Sequence, residues 1–259
     1  MSSSVTLSLS DGICVVTLQN AARRNAISRA MWTQLSAFTS GDPAAFGRVV
    51  IFRGEGDRAF SAGADISEFG SGRSNAAASV EYDDQVENTC VAIERIPVPT
   101  IAVIQGACMG AGASLAASCD IRIAGATGFF AVPAAKLGLG YDPRGVDRFC
   151  RVFGRNISRW MLFSGSRLPA ERAHALGAVF AIFSPDEVIA ASRSLAAEIR
   201  DNAPLTIAAA KSALRAAESG QQEIRAEADR LYRMADASAD YLEGKAAFAE
   251  KRRPHFKGV

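Results

Sequence analysis

The stretch QGACMGAGASLAASCDIRIAG at residues 105–125 decides the fold, because a glycine-rich turn and a small-residue helix lie between two apolar strands. The strands are predicted at 100–104 and 121–124, and the helix at Ala113–Ser118. Glycines in such a turn let a ligand approach the backbone closely. The turn also gathers free N–H groups and the positive end of a helix dipole. The segment therefore predicts an α/β protein with a candidate anion or oxyanion site.

A second small-residue turn, FSAGADI at residues 60–66, follows an apolar strand predicted at 49–53. Farther toward the N-terminus, Val5–Leu9 alternates apolar and polar residues, and Ile13–Leu18 is rich in β-branched residues. The pair Asp11-Gly12 between them is typical of a tight turn. These features predict a β-hairpin at the start of the chain.

Helices are predicted on both sides of the two turns. One covers Arg29–Phe38 behind the N-cap residue Ser28. Another ends before Pro97 and is indicated by four apolar residues at helical spacing: Tyr82, Val86, Cys90 and Ile93. The last strand is predicted at Val179–Phe183, and Ser184-Pro185 is predicted to begin the next helix.

The C-terminal part of the sequence is predicted to be entirely helical. Beyond Pro204 the chain is rich in alanine and amphipathic, in three pieces broken near Gly220 and Ser238. The sequence thus predicts an α/β core over residues 1–200 and a C-terminal helical region over residues 201–259.

Composition excludes several classes of function. The 259 residues include 29 Lys and Arg against 27 Asp and Glu, a net charge of +2 that argues against binding to nucleic acid. Two histidines are too few for a three-histidine metal site. Five widely spaced cysteines without a CxxC pair favour buried apolar roles over disulfides or zinc. With no signal peptide and no apolar run of about 18 residues, we expect a cytoplasmic protein without a membrane partner.

One alternative to consider is a nucleotide-binding dehydrogenase. Gly106-x-x-x-Gly110-x-Gly112 matches the glycine pattern of short-chain dehydrogenases, and Tyr241-x-x-x-Lys245 matches their catalytic pair. In that family the glycine turn follows the first strand, whereas about a hundred residues precede it here. The Tyr/Lys pair would also fall in the helical tail, so the context argues against this alternative.

Several motifs, in order and at matching separations, resemble the crotonase superfamily of enoyl-CoA hydratases and isomerases. They are RNAIS at 24–28, FSAGADI at 60–66, the block 97–123, FAVPAAKLG at 130–138 and EKRRPHFK at 250–257. The resemblance covers nearly the whole chain. It implies a spiral of ββα turns, a C-terminal helical trimerisation region, and a homotrimer or a dimer of trimers.

The resemblance also implies an acyl-CoA thioester substrate and gives the two turns a role. The backbone N–H groups of Ala64 and Ala111 would hold the thioester oxygen as charge develops on it. Contacts with CoA would come from the adenine-site residues Ala62 and Ile66, from Arg24 and Lys257 near the phosphates, and from the loop-supporting Asp65. Coenzyme A is then part of the substrate, and no metal or redox cofactor is implied.

Two positions depart from the pattern of the hydratases. Ser114 and Ala134 stand where the resemblance places the two glutamates that position and activate water. Loss of a general acid–base group typically costs about 10²–10⁴-fold in rate. We therefore expect pocket-lining roles for both residues and predict isomerase- or hydrolase-type chemistry rather than standard hydration.

Asp142 is the carboxylate predicted to replace them. Its place resembles that of the catalytic aspartate in dienoyl-CoA isomerases, 3-hydroxyisobutyryl-CoA hydrolases and 4-chlorobenzoyl-CoA dehalogenases. An aspartate before Pro143 is equally typical of a turn or a helix cap. Arg144 would lower the pKa of Asp142 if the side chains met, and Tyr141 either closes the acyl pocket or packs.

Two functions follow from these residues. The first is an acyl-CoA-processing enzyme that uses Asp142 as acid, base or nucleophile. The second is a non-catalytic acyl-CoA-binding protein, favoured by the residues at 114 and 134. The polar stretch at 67–74, which would help to shape the acyl pocket, carries no signature of a particular acyl group.

Overall fold

The strands of the chain form two separate β-sheets. The computed structural model describes residues 3–68, 70 and 75–259. The strands are β1 (Ser4–Ser10), β2 (Ile13–Gln19), β3 (Val49–Gly54), β4 (Ala59–Ser61), β5 (Thr100–Ile104), β6 (Ala107–Met109), β7 (Ile121–Gly125), β8 (Phe129–Ala131), β9 (Leu168–Pro169) and β10 (Ala181–Phe183). The predicted hairpin is confirmed, since β1 and β2 pair antiparallel.

Helices lie between the strands along the chain, and helices alone make up its C-terminal part. They are α1 (Arg29–Ser40), α2 (Ala76–Glu94), α3 (Ala111–Ala117), α4 (Pro143–Phe153), α5 (Arg155–Ser164), α6 (Ala170–Ala175), α7 (Val188–Arg200), α8 (Pro204–Ser219), α9 (Gln222–Asp236) and α10 (Ala239–Glu250). The Ser28 side chain accepts a hydrogen bond from Met31 N and caps α1, as predicted. The helix expected from Ser184 begins at Val188 instead, after a turn in which Ser184 O accepts the N–H groups of Glu187 and Val188.

The strand order explains how the chain forms a spiral. The larger sheet has the order β1-β2-β3-β5-β7-β10 and the smaller one the order β4-β6-β8-β9. Each of β3, β5 and β7 enters the larger sheet, and the strand that follows it enters the smaller sheet before a helix returns the chain. The pairings between successive repeats are parallel. This is the predicted crotonase-like spiral of ββα turns.

The central parallel strands of the larger sheet, β3 and β5, are buried on both faces, as parallel strands usually are. Val50 and Phe52 of β3 point into the main core, which also includes the inner faces of α1 and α2. Val49 and Ile51, on the opposite face, pack with Val188 of α7 in a second cluster. Because both faces are covered, the ends of the strands and the turns after them are where a ligand can reach the chain.

In the single chain, the C-terminal helices expose several apolar side chains to solvent. Among them are Tyr232 of α9, Leu242 of α10 and Phe248, which is 88% exposed. The breaks near Gly220 and Ser238 are confirmed, since α8 ends at Ser219 and α9 at Asp236. Over the residues that the structure describes, no helix is long and apolar enough to span a membrane.

Candidate active site

The two small-residue turns meet at one point between the sheets and the helices. Gly63 has a φ of 103°, which favours glycine, and a methyl group there would lie 3.0 Å from Met109 O and 3.8 Å from Ala111 N. Ser61 Oγ accepts a hydrogen bond from Gly63 N at 3.1 Å, and a methyl group on Gly112 would lie only 2.6 Å from Ser61 Cβ. Close approach of the turns therefore depends on glycine in both.

The first turn is attached to a segment near the N-terminus. Ala62 N donates to Arg24 O at 2.9 Å, and Asp65 N donates to Ile27 O at 3.0 Å. Gly63 O accepts the N–H of Ile27 at 2.7 Å. The N–H groups of Ala62 and Asp65 are used in these bonds, and that of Gly63 is bonded to Ser61 Oγ. In the described part of the chain, the N–H of Ala64 itself has no hydrogen-bond partner.

The second turn leads directly into α3. Gly110 has a φ of 48° and donates its N–H to Ala131 O of β8 at 2.9 Å. Ala111 is the first residue of α3, so its N–H belongs to the set that lacks a partner within the helix. No described residue accepts it. Two free N–H groups, those of Ala64 and Ala111, are thus present where the turns meet.

A cavity of about 120 Å³ opens against this junction. Both alanines belong to its lining, with residues from α2, α3 and the segment that precedes α4: Ala62, Gly63, Ile66, Tyr82, Asp83, Val86, Glu87, Gly110, Ser114, Val132, Pro133, Ala134, Leu137, Leu139, Gly140, Tyr141 and Asp142. The sequence-predicted Ala62, Ile66, Ser114, Ala134, Tyr141 and Asp142 are therefore brought together around one cavity.

Ser114 and Tyr141 link the cavity wall to the second turn. Ser114, which is 1% exposed, has its Oγ 2.9 Å from the Tyr141 hydroxyl. That hydroxyl donates to Gly110 O at 3.3 Å. Burial raises the pKa of Tyr141, so the phenol stays neutral and keeps its proton for hydrogen bonding. The pair thus contacts the peptide that carries the Ala111 N–H.

Asp142 lines the cavity and also caps α4. Its Oδ1 accepts the N–H of Arg144 at 2.8 Å, as the Asp-Pro pair predicts for a cap. The Arg144 guanidinium contacts both carboxylate oxygens, at 3.0 and 2.7 Å, and also pairs with Asp84. Hydrogen bonding by Arg144 holds the pKa of Asp142 below its usual range. The pairing with Arg144 is confirmed, and Asp142 is ionised near neutral pH.

Asp65 supports the first turn from within. Its carboxylate accepts hydrogen bonds from Ser67 N at 3.1 Å and Ser67 Oγ at 2.7 Å, and it pairs with Arg23 at 2.6 Å. These hydrogen bonds lower its pKa although burial opposes them. Ile66, next in the chain, is 70% exposed at the edge of the cavity.

Arg24 and Lys257 lie apart from the cavity in the single chain. Arg24 borders a separate surface depression with Asp57 and Arg58. The segment before Lys257 returns to the body of the chain, where Phe256 O accepts from Arg48. Of the stretch expected to shape the acyl pocket, positions 69 and 71–74 lie outside the described residues.

Glu87 is a cavity residue that sequence reasoning missed. It lies on α2, is 3% exposed, and forms a buried ion pair with Arg148 of α4 at 2.8 Å. The sequence feature that could have indicated it is its position directly after Val86, on a helix predicted from the spacing of its apolar residues. Its partner lies 61 residues farther along the chain, at a distance that helical spacing cannot bridge.

Comparison with known proteins identifies the family to which this fold belongs. Carnitinyl-CoA dehydratase of Salmonella arizonae is 34% identical over 100% of both chains. Methylmalonyl-CoA decarboxylase of Escherichia coli is 33% identical over 82% of this chain and 81% of its own. The crystal structure of an enoyl-CoA hydratase/carnithine racemase from Magnetospirillum magneticum is similar with a TM-score of 0.91 at 32% identity, and the match covers 98% of this chain and 96% of that one.

These similarities define a protein of the crotonase superfamily. Residues 8–259 match the sequence profile described as enoyl-CoA hydratase/isomerase, and the chain belongs to that family of acyl-CoA-processing enzymes. The similar proteins include a dehydratase and a decarboxylase, so one fold serves different reactions. The reaction of this chain therefore depends on the side chains at its own cavity.

Proposed function

We propose that the cavity binds an acyl-CoA thioester and that the N–H groups of Ala64 and Ala111 stabilise an enolate or tetrahedral oxyanion. The observation that carries the proposal is the position of these two N–H groups, free of partners in the described chain, beside a cavity that also contains a carboxylate. Negative charge develops on the thioester oxygen during either reaction. Two fixed donors stabilise that charge most in the transition state, which is how they accelerate the reaction.

Asp142 is the residue that we assign to the acyl group, as acid, base or nucleophile. Ser114 and Ala134 offer no carboxylate at the positions where the family resemblance places the hydratase glutamates. The ionised state of Asp142 suits proton abstraction, activation of water or direct attack on the thioester carbon. The proposed reaction is therefore of the isomerase or hydrolase type rather than ordinary hydration.

The CoA part of the substrate would extend from the junction of the turns to the surface. Ala62 and Ile66 are proposed to contact the adenine end, and Arg24 to approach the phosphates. Lys257 is proposed to reach the phosphates of a CoA bound to a neighbouring subunit, in a cytoplasmic homotrimer or dimer of trimers. The exposed apolar side chains of the C-terminal helices, Phe248 among them, support such an assembly.

The reaction is tested with a panel of saturated, enoyl, dienoyl and aryl CoA thioesters in H₂¹⁸O. Mass spectrometry separates the outcomes, since incorporated oxygen marks hydrolysis or hydration and an isomer of unchanged mass marks isomerisation. We expect hydrolysis or isomerisation of at least one ester. Efficient hydration of enoyl esters would contradict the assigned chemistry.

Asp142→Asn tests the assigned residue. Asparagine retains a helix cap and removes the charge, so we expect turnover to fall by about 10²–10⁴-fold while affinity for the CoA ester persists. Asp42→Asn is the matched control, because Asp42 also precedes a proline and caps a short helix by accepting Ala44 N at 2.9 Å. Equal turnover in the two variants would remove Asp142 from the mechanism.

A non-catalytic acyl-CoA-binding protein is the second candidate function. It is favoured by one observation, the engagement of both Asp142 oxygens by Arg144 and by the start of α4. This candidate predicts that titration with the ester panel gives binding without conversion of any member.

A further inference from the structure

Glu87 is a carboxylate in the lining of the cavity with no part in the chemistry assigned so far. One of its oxygens, Oε2, is held by Arg148 Nη1 at 2.8 Å, and the Arg148 side chain is itself 2% exposed. No residue in the described chain donates a hydrogen bond to the other oxygen, Oε1. The side chain is thus fixed at one oxygen and available at the other.

The free oxygen borders the same small space as Ser114 and Tyr141. A methyl group on Gly145 would lie 2.9 Å from Glu87 Oε1, 2.9 Å from Tyr141 Cε1 and 3.6 Å from Ser114 Oγ. All three side chains belong to the lining of the cavity, and the absence of a side chain at Gly145 lets them lie close together.

The same group of residues leads back to the oxyanion donors. The Tyr141 hydroxyl contacts Ser114 Oγ and Gly110 O, and the N–H of Ala111 follows Gly110 in the chain. From this arrangement we propose that Glu87 is a second catalytic carboxylate, which removes and returns a proton on the carbon next to the thioester carbonyl. The inference rests on the proposed function, because it requires an acyl-CoA thioester in this cavity.

The proton transfer balances without a further reactant. The C–H bond breaks, its electron pair forms the C=C bond of the enolate, and the carbonyl π pair moves onto the thioester oxygen between Ala64 N–H and Ala111 N–H. The proton forms an O–H bond with Glu87 Oε1. Its return to the same carbon, or to another carbon of a conjugated acyl group, completes the cycle and regenerates the carboxylate.

The electrostatic environments of the two carboxylates shift their pKa values in opposite directions. Burial raises the pKa of Glu87, although Arg148 opposes the shift, whereas hydrogen bonding by Arg144 lowers the pKa of Asp142. Carboxyls whose environments separate their pKa values commonly take different catalytic roles. Glu87 therefore accepts a proton more readily than Asp142, whose lowered pKa favours the anion.

The competing explanation is that Glu87 only neutralises the buried Arg148. Glu94 provides the matched control for this possibility. It lies on the same helix and accepts from Arg148 Nε at 2.7 Å, yet it is not part of the cavity lining. Glu94→Gln and Glu87→Gln therefore remove the same charge from the same guanidinium, one outside the cavity and one within it.

The test follows deuterium uptake from D₂O into the acyl carbons of butanoyl-CoA and but-3-enoyl-CoA by mass spectrometry. We expect exchange by the wild type, exchange slowed by about 10²–10⁴-fold in Glu87→Gln with CoA-ester binding retained, and near-wild-type exchange in Glu94→Gln. Glu87→Asp, which keeps a charge for Arg148 but shortens the side chain, should fold and also exchange slowly.

The other results overturn either the role of Glu87 alone or the proposed function as well. Wild-type exchange rates in Glu87→Gln, or equal losses in the Glu87 and Glu94 variants, would overturn it and leave the proposed function intact. A wild-type protein that binds both esters without any exchange would also overturn it. Failure of the wild type to bind any CoA ester would overturn the proposed function as well.

Discussion

The cavity has two walls that are held in place by different forces. The backbone wall consists of the two turns with the N–H groups of Ala64 and Ala111, and hydrogen bonds between main-chain groups fix it. The side-chain wall carries Glu87, Ser114, Tyr141 and Asp142. A buried ion pair at Glu87, a more exposed ion pair at Asp142 and a hydroxyl contact hold it. The first wall needs small residues for contact between its turns, while the second needs particular functional groups.

Such a division of the cavity allows one fold to serve different reactions. Stabilisation of a thioester oxyanion by backbone donors does not depend on which side chains stand opposite. Substitution on the side-chain wall can therefore change the proton chemistry without rebuilding the fold. Relatives named as a hydratase, a dehydratase and a decarboxylase are consistent with such exchange.

The largest effect is expected from removing the cation of the side-chain wall. Arg148→Met leaves Glu87 buried without its partner, and breaking a buried pair on one side typically costs about 3–5 kcal/mol. Urea denaturation should show this loss. Arg230→Met, at an exposed pair with Glu227, is the control and should cost less than about 1 kcal/mol. Equal losses would show that burial of the Glu87–Arg148 pair is unimportant to stability.

The next effect is expected on the backbone wall. Gly112→Ala places a methyl group 2.6 Å from Ser61 Cβ, so α3 must move away from the first turn. Displacement of an oxyanion donor typically costs about 10²–10³-fold in turnover, which kcat measurements on the best ester of the panel would reveal. Gly244→Ala on α10, outside the cavity lining, meets only Phe256 at 3.6 Å and should retain wild-type kcat. Full activity of Gly112→Ala would show that the turns tolerate separation.

A smaller effect is expected where the two walls touch. Tyr141→Phe removes the hydroxyl that contacts Ser114 Oγ and Gly110 O, each contact being worth about 0.5–1.5 kcal/mol. We expect kcat/KM to fall by roughly tenfold. In a double-mutant cycle with Ser114→Ala, the two losses should be less than additive because the residues share one hydrogen bond. Strict additivity would indicate that the contact has no role in turnover.

The smallest effect concerns stability in acid. The folded-state pKa of Asp142 is lowered, so its contribution is present above about pH 4 and is lost as the pH falls through that lowered value. Asp142→Asn lacks this contribution at every pH. Urea unfolding should therefore show a difference from wild type of under about 1 kcal/mol at neutral pH that shrinks in acid. A stability difference that stays constant with pH would show that the ionisation of Asp142 does not cause it.

The features predicted from sequence are those fixed by local chemistry. The hairpin around Asp11-Gly12, the strand at 100–104 and the cap at Ser28 each depend on neighbouring residues, and all three are present. The turns could likewise be recognised because glycine and alanine at fixed offsets permit the close backbone contacts. Most of the backbone wall could therefore be predicted from the sequence.

The remaining features depend on contacts between distant segments. The short strands β4 and β6 have only three residues each, and their ladder forms because the two turns bring them side by side. Glu87 is unremarkable in sequence until α4 places Arg148 against it. A charged residue on a helix is normally assigned to solvent, so the side-chain wall became visible only when the helices were packed.

Attachment of the first turn to residues 24–27 and of the second to Ala131 makes ligand binding a property of the completed fold. An acyl-CoA that bridges both turns binds the folded chain alone and adds its binding free energy to the stability of that state. At a concentration a hundred times its Kd the gain is about 2.7 kcal/mol. For a chain of this size each kcal/mol raises Tm by about 2–4 °C. Ranking CoA thioesters by melting temperature would thus identify the preferred acyl group before any reaction is observed.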